Sequence, residues 1–169
     1  MIRRANKQQM FETSVTHMIK QGVQAVIKHE GEPTCEYHTP EGLSCAVGCL
    51  ITKKEYRPAM EGDRIAGVVA KFDHLPKIFY NERYFLAALQ DVHDDYMDHG
   101  FGVDAMHAVE RVAADYNLSL DFLQTTEMES LIARRKIDCY NAKRKAYRAA
   151  KKRAAQRAAE RTVSMGDFG

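Results

Sequence analysis

Thr126-Glu-Met-Glu-Ser-Leu-Ile-Ala-Arg-Arg-Lys-Ile-Asp-Cys-Tyr-Asn-Ala-Lys-Arg-Lys-Ala-Tyr147, with its continuation to Arg161, contains neither Pro nor Gly and is rich in Ala, Arg and Lys. Those residue types carry the best helix propensities, so the stretch predicts one helix of about 35 residues. Thr126-x-x-Glu129 has capping-box spacing and marks its start. Up to Tyr147 the helix carries large apolar residues (Met128, Leu131, Ile132, Ile137, Tyr140, Tyr147). Beyond Tyr147 the apolar positions are Ala149, Ala150, Ala154, Ala155, Ala158 and Ala159. Ala buries little area, and at about 25 cal/mol per Å² a stripe of Ala holds a helix weakly. The distal half is therefore expected to project from the body.

The same helix divides the charge. Met1–Ala133 holds 13 basic and 20 acidic residues, a net of −7, whereas Arg134–Arg161 holds 12 basic and two acidic residues, a net of +10. Arg134, Arg135, Lys136, Lys143, Arg144, Lys145, Arg148, Lys151, Lys152, Arg153 and Arg157 wrap most of its circumference. A helix charged all round is solvated or lies against something anionic. The expected partners are nucleic acid, met through its phosphates with little base readout, or an acidic host protein. Self-docking onto the protein's own acidic run (Asp91, Asp94, Asp95, Asp98) is the alternative.

Working back from Thr126, the chain reads as a mainly α domain over 1–124 with a minor β element, followed by the basic helix and a short tail over 125–169. With 169 residues, 45% of them hydrophobic and 28% charged, one soluble domain can bury a sizeable core. A disordered chain, a collagen-like fibre and a disulfide-stapled miniprotein are excluded. No apolar run approaches the ~18 residues of a membrane span, and the N-terminus lacks a signal-peptide pattern, so a cytoplasmic protein with thiol cysteines is expected.

Within the body, Phe11, Val15, Met18, Ile19 and Val26 predict a first helix over 9–27, ended by Glu30-Gly-Glu-Pro33. Thr34–His38 and Leu43–Val47 flank the turn Thr39-Pro-Glu-Gly42. They read as a hairpin or, preferably, as a strand followed by a helix capped by Ser44 over Cys45–Ile51. Thr52-Lys-Lys-Glu55 has capping spacing for one further turn. Ile65, Val68, Val69 and Phe72 predict a short helix. Asn81 is the expected N-cap of a helix over 82–98, with stripe Phe85, Leu89, Val92 and Tyr96. Gly100-Phe-Gly102 breaks it, a helix follows over 103–116, and Leu118, Leu120, Phe122 and Leu123 form a strand or buried connector.

Two clusters carry possible chemistry. Cys35, His38, Cys45 and Cys49 have the spacing Cys-x2-His-x6-Cys-x3-Cys, four N/S donors of the kind zinc takes. Small buried hydrophobes are the plainer reading of these cysteines. Alternatively, Cys45 at the first turn of a helix would have a lowered thiol pKa. His93 would be its base and Asp94 or Asp95 would orient that base, giving a cysteine-dependent hydrolase or transferase. The charge layout favours a non-enzymatic binding protein without a cofactor over both.

Gly42-Leu-Ser-Cys-Ala-Val-Gly48, Tyr56-Arg-Pro-Ala-Met-Glu-Gly62 and Leu89-Gln-Asp-Val-His-Asp94 together resemble a family of small proteins of unassigned function from tailed-phage and bacterial genomes. The resemblance covers about 10–120, omits the basic helix and implies no activity. It implies a phage accessory protein acting on a host component or on DNA. Of the four zinc candidates, only Cys45 belongs to its motifs.

Overall fold

Asn6 starts the fold: its side-chain oxygen accepts the Gln9 N–H at 2.8 Å, and the Gln9 side chain accepts the Asn6 N–H at 3.1 Å. This reciprocal cap satisfies donors that a helix start leaves unpaired. The structure, a computed structural model, describes residues 6–29 and 32–166, with side chains described for 6–28 and 33–157. Helix α1, Lys7–Gln21, ends on Gly22 at φ +73, whose N–H bonds Met18 O. It stops earlier than the apolar stripe implied. Val26 belongs instead to a strand, β1 (Val26–His29), paired antiparallel with β2 (Glu32–Cys35) in the register Val26↔Cys35 and Ile27↔Thr34. A β-branched pair after a left-handed Gly favours a strand over continued helix. Glu30 and Gly31, the expected punctuation, lie outside the described residues, as do the side chains of Ala158, Ala159, Glu160 and Arg161.

The expected helix from Ser44 does not form. Thr39–Gly42 turns the chain, and a single bridge joins His38 to Ser44. Cys45–Ile51 is a tight turn with a 3-10 turn at Gly48–Leu50. Helix α1 takes the carbonyls that a helix here would use. Ser14 Oγ donates to Ala46 O at 2.6 Å, while His17 Nε2 and Gln21 Nε2 lie 2.9 and 3.0 Å from Ser44 O. Gly48 is pressed so closely on Tyr37 that a β carbon would overlap the Tyr37 carbonyl. Thr52 and Glu55 do close the expected single turn, with Thr52 Oγ1 donating to Glu55 at 2.7 Å.

Helices α2 (Ile65–Lys71), α3 (Lys77–Asn81), α4 (Arg83–Tyr96) and α5 (Val103–Tyr116) follow. Asn81 closes α3 rather than capping α4, which starts at Arg83 without a side-chain cap. The break at 100–102 stands as expected, with Gly100 at φ +97. Leu118–Leu123 is a connector with a 3-10 turn at Asp121–Leu123. Met10, Phe11, Val15, Met18 and Ile19 of α1 pack into one core with Ile65 and Val68 of α2, Phe85, Leu86, Leu89 and Val92 of α4, and Val109 of α5. The last helix, α6 (Thr126–Gly166), is capped one residue earlier than its sequence pattern indicates: Thr125 Oγ1 accepts the Met128 N–H at 3.2 Å. The chain is thus mainly helical, with one two-stranded hairpin and a long C-terminal helix. Among the described residues, no helix is long and apolar enough to cross a membrane.

Candidate functional site

His93 is wholly buried on α4. Its Nε2 accepts the Ala25 N–H at 3.0 Å, and a backbone N–H can only donate, so the ring proton sits on Nδ1. From there it is donated to Asp94 Oδ1 at 2.8 Å. Nε2 ties the end of α4 to the residue before β1, while Nδ1 is held by the next residue of α4. Gln24 reinforces the tie by donating to the His93 and Asp94 carbonyls at 2.7 and 2.9 Å. The expected orientation of His93 by Asp94 is present, but no lone pair is left for a nucleophile. Cys45 does not start a helix: it is 2% exposed, its sulfur accepts the Gly48 N–H, and burial pushes its thiol up to about 12. Cys45, His93 and Asp94 therefore lack both an activated thiol and an available base.

The zinc quartet is not assembled either. Among the described residues, the one group of three potential ligand atoms within 4.8 Å of one another is Cys35, His93 and Asp94, without His38, Cys45 or Cys49. Even this trio does not fit a metal. A cation on Nδ1 would move the ring proton to Nε2, which the Ala25 N–H already faces. Cys35 instead hydrogen-bonds Asp94, and burial foremost, with that carboxylate, raises its thiol to about 12. The cluster is a polar knot joining the hairpin to α4.

Glu61 forms a second knot. Its carboxylate accepts the Tyr37 N–H at 2.8 Å, the His38 N–H at 3.2 Å and the Tyr56 hydroxyl at 2.7 Å. The Tyr56-x-x-x-Met-Glu-Gly62 and Gly42–Gly48 stretches thus serve the fold: Met60 is fully buried, and Gly42 and Gly62 hold left-handed turns at φ +87 and +78.

Helix α6 presents the remaining candidate surface. Met128, Ile132, Arg135, Cys139 and Lys143, at four- and three-residue steps, form the line by which it docks. Met128 and Cys139 are buried, and Cys139 packs on Gly102. The Arg135 guanidinium donates to the Ile19 and Lys20 carbonyls, capping the negative end of α1. Lys143 Nζ lies 2.6 Å from Asp104 Oδ2. Arg135 and Lys143 are thereby spent on the protein itself.

Beyond Lys143 every described side chain, from Arg144 to Arg157, is exposed. These 14 residues include seven Lys or Arg and no acidic residue. Among the described residues, none of the seven forms an ion pair with a carboxylate. At 100° per residue, Arg144, Lys145, Arg148, Lys151 and Lys152 share an arc of about 120°. The acidic run meets only the base of the helix: Asp95 and Asp98 line the concavity that holds Lys143, whereas Asp91 pairs with Arg64 and Asp94 with His93.

No family model, curated protein or solved structure matches this chain. The site is therefore read from its own geometry.

Ile137, Tyr140 and Tyr147 belong to the half of α6 whose large apolar residues predict docking. They are 61, 61 and 70% exposed. The signal lay in the spacing: 137, 140, 144 and 147 form one stripe, offset from the docked line at 128, 132, 135, 139 and 143.

Proposed function

We propose that the distal part of α6 is an electrostatic arm that grips nucleic acid through its phosphates, largely without regard to sequence. The supporting observation is the seven exposed cations between Arg144 and Arg157, which among the described residues pair with no carboxylate, on a helix already held at its base. The concavity at that base is lined by Asp95, Asp98 and Asp104 with His107, Arg111 and Lys143, so its charges largely offset one another and the unpaired cations lie farther along the arm. On this helix cations outnumber the amides Asn141 and Gln156, so backbone contact predominates over base readout. On the resemblance of its motifs, the carrier is a phage accessory protein working in the cytoplasm of a bacterial host.

The test is binding of the full chain to labelled DNA by fluorescence anisotropy at two salt concentrations. Four or five phosphate contacts give a log–log salt slope of about −4, a loss of a few hundredfold between about 50 and 200 mM salt. Replacement of Arg148, Lys151 and Lys152 by Glu should abolish binding. DNA binding that is absent at low salt, or indifferent to salt, overturns the proposal. Capture of an acidic protein without nucleic acid would then identify the other class of partner.

A further inference from the structure

Ile137, Tyr140, Arg144 and Tyr147 occupy one stripe of α6, turned about 130° from its docked line. Ile137, Tyr140 and Tyr147 are all more than half exposed, and Arg144 lies over the Tyr140 ring at 5.7 Å. The stripe adjoins the face of Arg144, Lys145, Arg148, Lys151 and Lys152 and shares Arg144 with it. An aromatic line beside a cationic line is the pairing that single-strand binders use, with bases on the rings and phosphates on the cations.

Building on the reading of α6 as a phosphate grip, we propose that Tyr140 and Tyr147 make the arm selective for single-stranded nucleic acid by stacking unpaired bases. Seven residues of helix separate the two rings by about 10 Å, close to three base steps of about 3.4 Å. In a duplex the bases are stacked on one another and offer the tyrosines no free face, so only the phosphate contacts remain. A second copy of the chain is a poor occupant: apposing two such helices would bring two sets of seven cations together, against one carboxylate, Asp138, in each 137–157 stretch.

The experiment compares an oligothymidine of about 20 nucleotides with a duplex of about 20 base pairs. It uses the full-length wild type, Tyr140→Ala/Tyr147→Ala, Tyr140→Phe/Tyr147→Phe, and the Glu variants of Arg148, Lys151 and Lys152. Both rings are exposed, so the fold should survive their loss, and circular dichroism checks it. The Ala pair should lose single-strand affinity about tenfold per ring while duplex affinity stays within about twofold. The Phe pair should retain wild-type affinity for both. Equal losses on both ligands, or none, with the Glu variants still defective, overturn stacking but leave the phosphate grip standing. Wild type that binds neither ligand at low salt removes the grip itself. A change in sedimentation on losing the tyrosines, with binding intact, reassigns the stripe to self-association and overturns the proposal.

Discussion

Lys143 Nζ and Asp104 Oδ2, 2.6 Å apart, mark the point where α6 leaves the body: among the described residues, no side chain after Lys143 is buried. The hydrogen bond to Lys143 holds the Asp104 carboxyl below its ordinary range, and the same bond raises Lys143. The Asp104 contribution is thus present above the ordinary carboxylate pKa and is lost as pH falls through the lowered one. The Lys143 contribution is present below the ordinary amine pKa and is lost as pH rises through the raised one. Both groups are exposed, so the pair is screened. Asp104→Asn should cost about 0.5 kcal/mol or less in urea denaturation, because the helix is held by its buried line rather than by this pair.

Gly102 and Cys139 make the tighter joint. A β carbon on Gly102 would run into the Cys139 sulfur. Gly102→Ala should therefore destabilise the protein by about 2 kcal/mol through overpacking. In the Cys139→Ala background the same change should cost clearly less. Additive losses in that double-mutant cycle would show that the two residues do not touch.

Glu61 accepts three hydrogen bonds, two of them from backbone N–H groups. The Tyr37 N–H bonds Oε2 and the His38 N–H bonds Oε1, so in either orientation Glu61→Gln turns its NH2 on one of them and should cost about 2–3 kcal/mol. Tyr56→Phe removes one donor only and should cost about 1 kcal/mol. Thermal or urea unfolding ranks the two, and equal effects would contradict the three-way geometry.

Cys35, Cys45 and Cys49 are each pushed from 9.0 up to about 12, chiefly by burial. Their thiolate fraction at neutral pH is far below that of an ordinary thiol, so iodoacetamide should modify them slowly, and the buried Cys45 only after denaturation. Rapid labelling of Cys45 in the folded protein would revive the nucleophile reading. The same shifts fix the sign of the alkaline response. The folded thiols stay neutral where the unfolded ones ionise, so their stabilisation is complete below pH 9 and is lost between pH 9 and about 12. The melting temperature should fall across that window.

Helices α2 and α5 and the break at 100–102 were legible because apolar spacing and punctuation residues act within a turn or two of themselves. Cys45–Ile51 was misread for the converse reason. Its carbonyls are claimed by Ser14, His17 and Gln21, some 23 to 32 residues away in sequence. Of the two neighbouring carboxylates that the sequence offers His93, Asp94 takes its Nδ1 proton, but the decisive partner is the Ala25 N–H, 68 residues distant.

The long helix and the opposition between its charge and that of the body could be stated from residue order alone, since propensity and net charge are sums over local chemistry. Which cations remain available could not. Arg135 is taken by carbonyls 115 and 116 residues away, and Lys143 by a carboxylate 39 residues away. Tyr140 faces water because its stripe is turned away from the line that docks, and Tyr147 because the body ends beneath Lys143. Exposure depends on where distant segments come to lie, and packing sets that.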